Sequence, residues 1–431
     1  MRFRRPPPKP LLYAVIAAAA FGIGAGVGLS RAFESGHSRG VPSNTSAAPL
    51  QAPAQPVPAG QPQFQRRGIC RKSDNYAQCH PTAGTFRPDP TRLADCGSTS
   101  ACYEQAFGNL AYYRGPRAAL RIFDRMRATN SVVAADCHRT VHVIGAGALA
   151  RFHGNVGKAF SLGSASCWSG YYHGILERAF TNVGTTKGLG KVARRLCASV
   201  KRRSTVWIAY QCVHGLGHGL MIFSGYNLPF ALSICDQLAT SWDQTSCSGG
   251  VFMENIVSSY GTPSPWLRKN DPVFPCGIVK EKFKYFCYAM VTSRINELDH
   301  YDWRKTAATC RTVERNWVAT CFQSMGRDAS GSTTQNPRKA LSICSVDRRW
   351  WLECVNGAVR DMTATYANGE RASQLCGLLQ TSLQPNCFWQ IGTMLGTMSR
   401  TDAGRRALCE AASKKYVRNC MQGADAASSR S

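Results

Sequence analysis

Twenty cysteines punctuate this 431-residue chain, and from Cys197 onward they fall into seven consecutive pairs: 197/212, 235/247, 276/287, 310/321, 344/354, 376/387 and 409/420. Partners stand 10 to 15 residues apart, and first members recur every 32 to 41 residues. A period of that length marks stacked supersecondary units, each too small to bury its own apolar face. An even cysteine count in an exported chain argues for disulfides, and the spacing contains no CxxC pair of the kind that binds zinc. The spacing therefore predicts local bridges, one to a helix hairpin.

Between the cysteines the pattern is helical. The stretch FGNLAYYRGPRAALRIFDRM, from Phe107, has apolar residues at helical spacing, a break at Gly115, and Pro116 placed to open a second helix. Asn227 and Asn336-Pro337 precede apolar runs as helix caps would. Trp317, Trp351 and Tyr416 sit three or four residues before the second cysteine of their pairs, as core filling between hairpins. In period and cysteine placement, residues 101–423 resemble the cysteine-rich, disulfide-clamped variety of tetratricopeptide-like repeat proteins, an architectural likeness. Pattern and resemblance together predict an all-α, right-handed solenoid of helix-hairpin repeats stapled by local disulfides. It follows an N-terminal transmembrane helix.

That helix is Leu11 to Leu29, nineteen residues without a charge behind Arg2, Arg4, Arg5 and Lys9. At 1.5 Å per residue it spans ~28 Å, about the thickness of a bilayer core. The flanking charge predicts a cytoplasmic N-terminus and an exported body. The expected organisation is a basic stub and signal-anchor (1–33), a Pro/Gln-rich linker (34–68), a cysteine-containing lead-in (69–105), the repeat domain (106–423) and a disordered tail (424–431). This places the chain in a bacterial cytoplasmic membrane, crossing it once at residues 11–29, with its body in the periplasm or outside the cell. A net charge of +27 favours anionic partners. Export argues against nucleic acid, so the expected partners are an envelope protein or an anionic envelope polymer.

Six of the nine histidines fall between Cys137 and Glu254, a stretch that holds the motifs CHRTVH, CWSGYYHGILE, CVHGLGHG and CSGGVFME, and all but His153 lie in those motifs. Counted from each motif cysteine, Gly170 and Gly215 stand at +3, His173 and His218 at +6, and Gly174 and Gly219 at +7. On a helix these positions share one stripe and its border, so the glycines admit a close neighbour and the histidines line the contact. His138/His142 and His214/His218 are i, i+4 pairs, His173/Glu177 is their mixed version, and Glu254 projects from the next repeat. Imidazole and carboxylate at that spacing suit a transition metal ion such as iron, zinc or copper. The candidate ligands are His138, His142, His173, Glu177, His214, His218 and Glu254. In logic the array resembles helical-repeat di-iron hydroxylases, which bind iron through His-Glu pairs on successive repeats; their adjacent His-Glu dipeptide is absent here. His153 lacks a spaced partner, and His37, His80 and His300 are isolated. No HExxH occurs, which removes the metalloprotease reading. Two functions follow as expectations. One is a metal-dependent site with oxidoreductase chemistry; the other is a non-enzymatic scaffold that binds a partner on its surface.

Overall fold

The computed structural model describes residues 86–180, 188–258 and 264–428. The expected membrane segment 11–29, the linker and most of the lead-in lie outside them, as do Cys70 and Cys79. No helix among the described residues is long and apolar enough to cross a membrane. Their regular structure is entirely helical, with no strand.

A row of inner helices forms the spine. These are α1 (Ser100–Arg114), α2 (Cys137–Arg151), α3 (Gly170–Ala179), α4 (Val206–Phe223), α5 (Ser241–Ile256), α6 (Glu281–Met290), α7 (Thr292–Leu298), α8 (Val318–Ser332), α9 (Trp351–Tyr366), α10 (Gln384–Met398) and α11 (Val417–Ser428). Neighbours in this order pack on one another, and shorter outer helices such as Leu228–Cys235 and Pro337–Cys344 return the chain between them. Local signals set those returns. The side chains of Asn227 and Asn336 cap their helices by accepting from the backbone N–H of Phe230 and Lys339. Pro116 opens its helix behind Gly115, whose φ of 87° suits glycine.

All seven expected cysteine pairs are bridged, as are Cys137–Cys167 and Cys96–Cys102. In six of the seven the bridge ties an outer helix to the inner helix that follows it. Aromatic residues fill the next layer. Trp317 stacks on Tyr288, Trp350 on Phe322 and Tyr416 on Phe388, with centroids 5.9, 5.7 and 4.6 Å apart. The stacking residue stands four before the second cysteine each time, so this role falls to Trp350 rather than Trp351.

The closest helix contacts come in reciprocal pairs. A Cβ on Gly174 would lie 1.9 Å from the carbonyl oxygen of His142, and one on Gly145 would lie 2.0 Å from that of Tyr171. The same exchange joins Gly217 to Cys247 and Gly250 to His214, Gly326 to Cys354 and Gly357 to Gln323, and Gly392 to Cys420 and Gly423 to Trp389. Each helix thus offers a glycine three residues beyond the carbonyl that its partner's glycine touches. The couples are α2·α3, α4·α5, α8·α9 and α10·α11. Gly215, expected at such a crossing, meets only the Leu176 side chain at 3.1 Å and the His173 Cα at 3.4 Å; Gly217 occupies the tight position. The last couple also carries α11 past the boundary expected at 423, burying Ala424 and Ala427.

The C-terminal half touches the N-terminal half. Thr365 O accepts from the Cys167 N–H (2.7 Å), and Trp168 Nε1 donates to Asp361 Oδ1 (2.7 Å). Farther along, the Arg400 guanidinium donates to the carbonyls of Lys201 and Arg202.

Candidate metal centre

The first two glycine couples bring four helices together around one point. From α2 come His138 and His142, from α3 His173 and Glu177, from α4 His214 and His218, and from α5 Glu254. The seven residues meet in a single cluster. Neighbouring imidazole centroids lie 4.5 to 5.9 Å apart, from His138–His142 to His142–His218. Ligand atoms in the sets His138/His142/His173, His173/His214/His218 and Glu177/His218/Glu254 lie within 4.8 Å of one another. All seven are buried except His138, which is partly exposed. His153 and His300 are exposed and distant in role, each at positive φ in a turn. His37 and His80 lie outside the described residues.

The rings are oriented by their outer nitrogens. His138 Nδ1 faces Cys167 O at 2.8 Å, and His142 Nδ1 faces Glu177 Oε1 at 2.6 Å. His214 Nδ1 meets Tyr210 OH at 3.0 Å, and His218 Nδ1 meets Glu254 Oε2 at 2.8 Å. The Nε2 atoms turn inward, 2.9 Å apart for His138/His142 and 3.3 Å for His214/His218. Outer partners of this sort fix the tautomer and aim of metal-binding imidazoles.

Proton counting separates the two pairs. A carbonyl and a carboxylate only accept, so the atoms facing His138 Nδ1 and His142 Nδ1 both favour a proton on that nitrogen. If both rings are neutral, the two Nε2 atoms present lone pairs to each other across 2.9 Å, an arrangement satisfied by a proton or by a metal ion between them. His173 adds a third lone pair. Its Nε2 donates to Gln211 Oε1 at 2.6 Å, and its buried Nδ1 has no hydrogen-bond partner. The other pair is self-sufficient, because Tyr210 can donate to His214, His214 to His218, and His218 to Glu254. Tyr226 donates to the second oxygen of Glu254 at 2.5 Å.

Burial favours the neutral ring in His138, His173 and His214. Burial, aided by His142, pushes His138 down to about 3, and burial drives His173 and His214 well below the usual imidazole range. For Glu177 burial acts upward, but His142, its hydrogen bond, His218 and Arg178 outweigh it and hold the carboxyl at about 2. The cluster thus offers imidazole nitrogens beside the Glu177 carboxylate, a donor set suited to a divalent transition metal.

The orienting partners Cys167 O, Gln211 and Tyr226 escape sequence reasoning, since each comes from a different helix or loop than its histidine or glutamate. Tyr210 was reachable, one helical turn before His214. The chain is by class a disulfide-clamped, all-helical repeat protein with a buried His/Glu cluster that could hold a metal ion. No protein-family model, curated protein or solved structure matches it.

Proposed function

We propose that this chain is an exported, membrane-anchored repeat protein, wound as a right-handed array, whose first four paired helices bind a transition metal ion. Iron, zinc and copper suit its imidazole-rich donors. His138, His142 and His173 would supply nitrogens, with Glu177 orienting or joining them and the hydrogen-bonded chain of His214, His218 and Glu254 lining the same site. When bound, iron or copper would supply one-electron chemistry and zinc a Lewis acid. The observation that carries the reading is the 2.9 Å approach of two imidazole Nε2 atoms whose Nδ1 atoms both face pure acceptors. Two like lone pairs do not share a buried site without a proton or a metal ion between them, and the third inward nitrogen, His173 Nδ1, favours the metal.

Elemental analysis of the exported domain, reconstituted in turn with zinc, iron(II) and copper, tests this. The parent and His153→Ala should retain metal through dialysis, and His138→Ala/His142→Ala should lose it. Less than about a tenth of an equivalent in the parent, or undiminished binding by the double variant, overturns the proposal. The strongly basic chain would then stand as an envelope scaffold for a protein or anionic polymer.

A further inference from the structure

A cavity of about 300 Å³ adjoins the histidine cluster, where the C-terminal half closes on α2 and α3. His138 belongs to both, as a member of the cluster and part of the cavity wall. It is also the one imidazole of the five that is not fully buried. The accessible wall is overwhelmingly apolar, with Trp168, Met253, Ala289 and Met290 contributing.

The polar part of that wall has a register. Because Gln323 O meets Gly357 as His214 O meets Gly250, α8·α9 can be laid on α4·α5 residue for residue. Gln323 then takes the place of His214, Arg327 of His218 and Asp361 of Glu254. Positions that carry imidazoles and a carboxylate in the first half thus carry hydrogen-bonding and charged groups in the second, and all three line the cavity. Their charges are engaged with the protein. Arg327 donates to Asp328, Ser293 and Ala289 O; Asp361 accepts from Trp168 Nε1 and Gln335 Nε2; and neighbouring Arg360 donates to Gln323 and Gln390. An ionic ligand would have to break these pairings, whereas an uncharged one would not.

We infer that the cavity binds a small, uncharged, mostly apolar molecule, whose single polar head reaches the ion held by His138 Nε2, His142 Nε2 and His173 Nδ1. This rests on the proposed metal centre. Three nitrogen ligands leave a tetrahedral ion one position for an exchangeable group. The His138 ring, as ligand and wall together, brings the cavity to the edge of that position.

The test uses the full chain loaded with cobalt(II), whose visible bands report a change of ligand. Two uncharged ligands with one donor atom share the same head: pyridine, and 4-phenylpyridine with an added apolar ring. Both should shift the bands, the phenyl compound with a Kd about tenfold lower or better because its ring is buried. Ala289→Phe, which fills the cavity, should erase that preference while keeping the cobalt content of the parent. Bands that neither ligand moves, or equal affinities in the parent, overturn the inference and leave the metal centre standing. A parent that holds no cobalt, zinc, iron or copper removes the metal centre itself. Should Ala289→Phe fail to fold, the comparison of the two ligands on the parent still decides.

Discussion

Gly174 shows how much one absent methyl group can hold together. Its Cα passes so close to the His142 carbonyl that a Cβ would stand 1.9 Å from the oxygen, with backbone on both sides and no side chain to move away. Gly174→Leu should therefore cost roughly 1–3 kcal/mol or more in urea unfolding and displace His142 with it. Gly377→Ala, where nothing lies within 4 Å, should leave stability unchanged or raise it by up to ~1 kcal/mol. Equal effects would deny that the couples set the histidine positions. At this scale the candidate site was legible, because counting from each cysteine put residues of successive helices in one register. Which glycine made the crossing was not, since Gly215 and Gly217 differ by two residues and only packing against α5 chooses between them. Nor were the Nδ1 partners legible. Gln211 lies 38 residues from His173, on the next inner helix, where a local spacing rule cannot reach.

Helices and their clamps were the most legible part, because every signal for them is local. Cysteine spacing, asparagine caps and the Gly115-Pro116 break act within fifteen residues, and the structure uses each of them. Two clamps make a quantitative comparison. Replacing Cys310 and Cys321 by alanine should lower stability by about 3 kcal/mol, the chain entropy of opening a short loop. The Cys137–Cys167 link closes a loop of thirty residues, which adds about 1 kcal/mol on the same reasoning. It also holds the Cys167 N–H against Thr365 O. Its double alanine variant should lose more than the 310/321 variant in parallel urea titrations. An equal or smaller loss would mean that the closure onto the second half does not depend on this clamp.

At the scale of the molecule, the meeting of the two halves was hidden in the sequence. Trp168 and Asp361 are 193 residues apart, and nothing in a repeat period says that an array will bring such positions together. The contact has a pH signature. Burial raises the Asp361 carboxyl to about 6, against the downward pull of Ser330, Trp168 and Gln335. A carboxyl raised on folding binds its proton more tightly in the native state, so its destabilising contribution is complete above pH 6 and is relieved as pH falls toward 4. Relative to Asp361→Asn, the parent should gain about 1 to 3 kcal/mol across that window in urea titrations. A flat difference would show that Asp361 is not buried at the junction. The glycine couples also bear on where such an array tolerates insertion. Within a couple, each helix carries a glycine that fits the facing carbonyl of its partner. A hairpin inserted between α4 and α5 would part Gly217 from Cys247 O and Gly250 from His214 O. Added hairpins are therefore expected to be accepted between couples and refused within them.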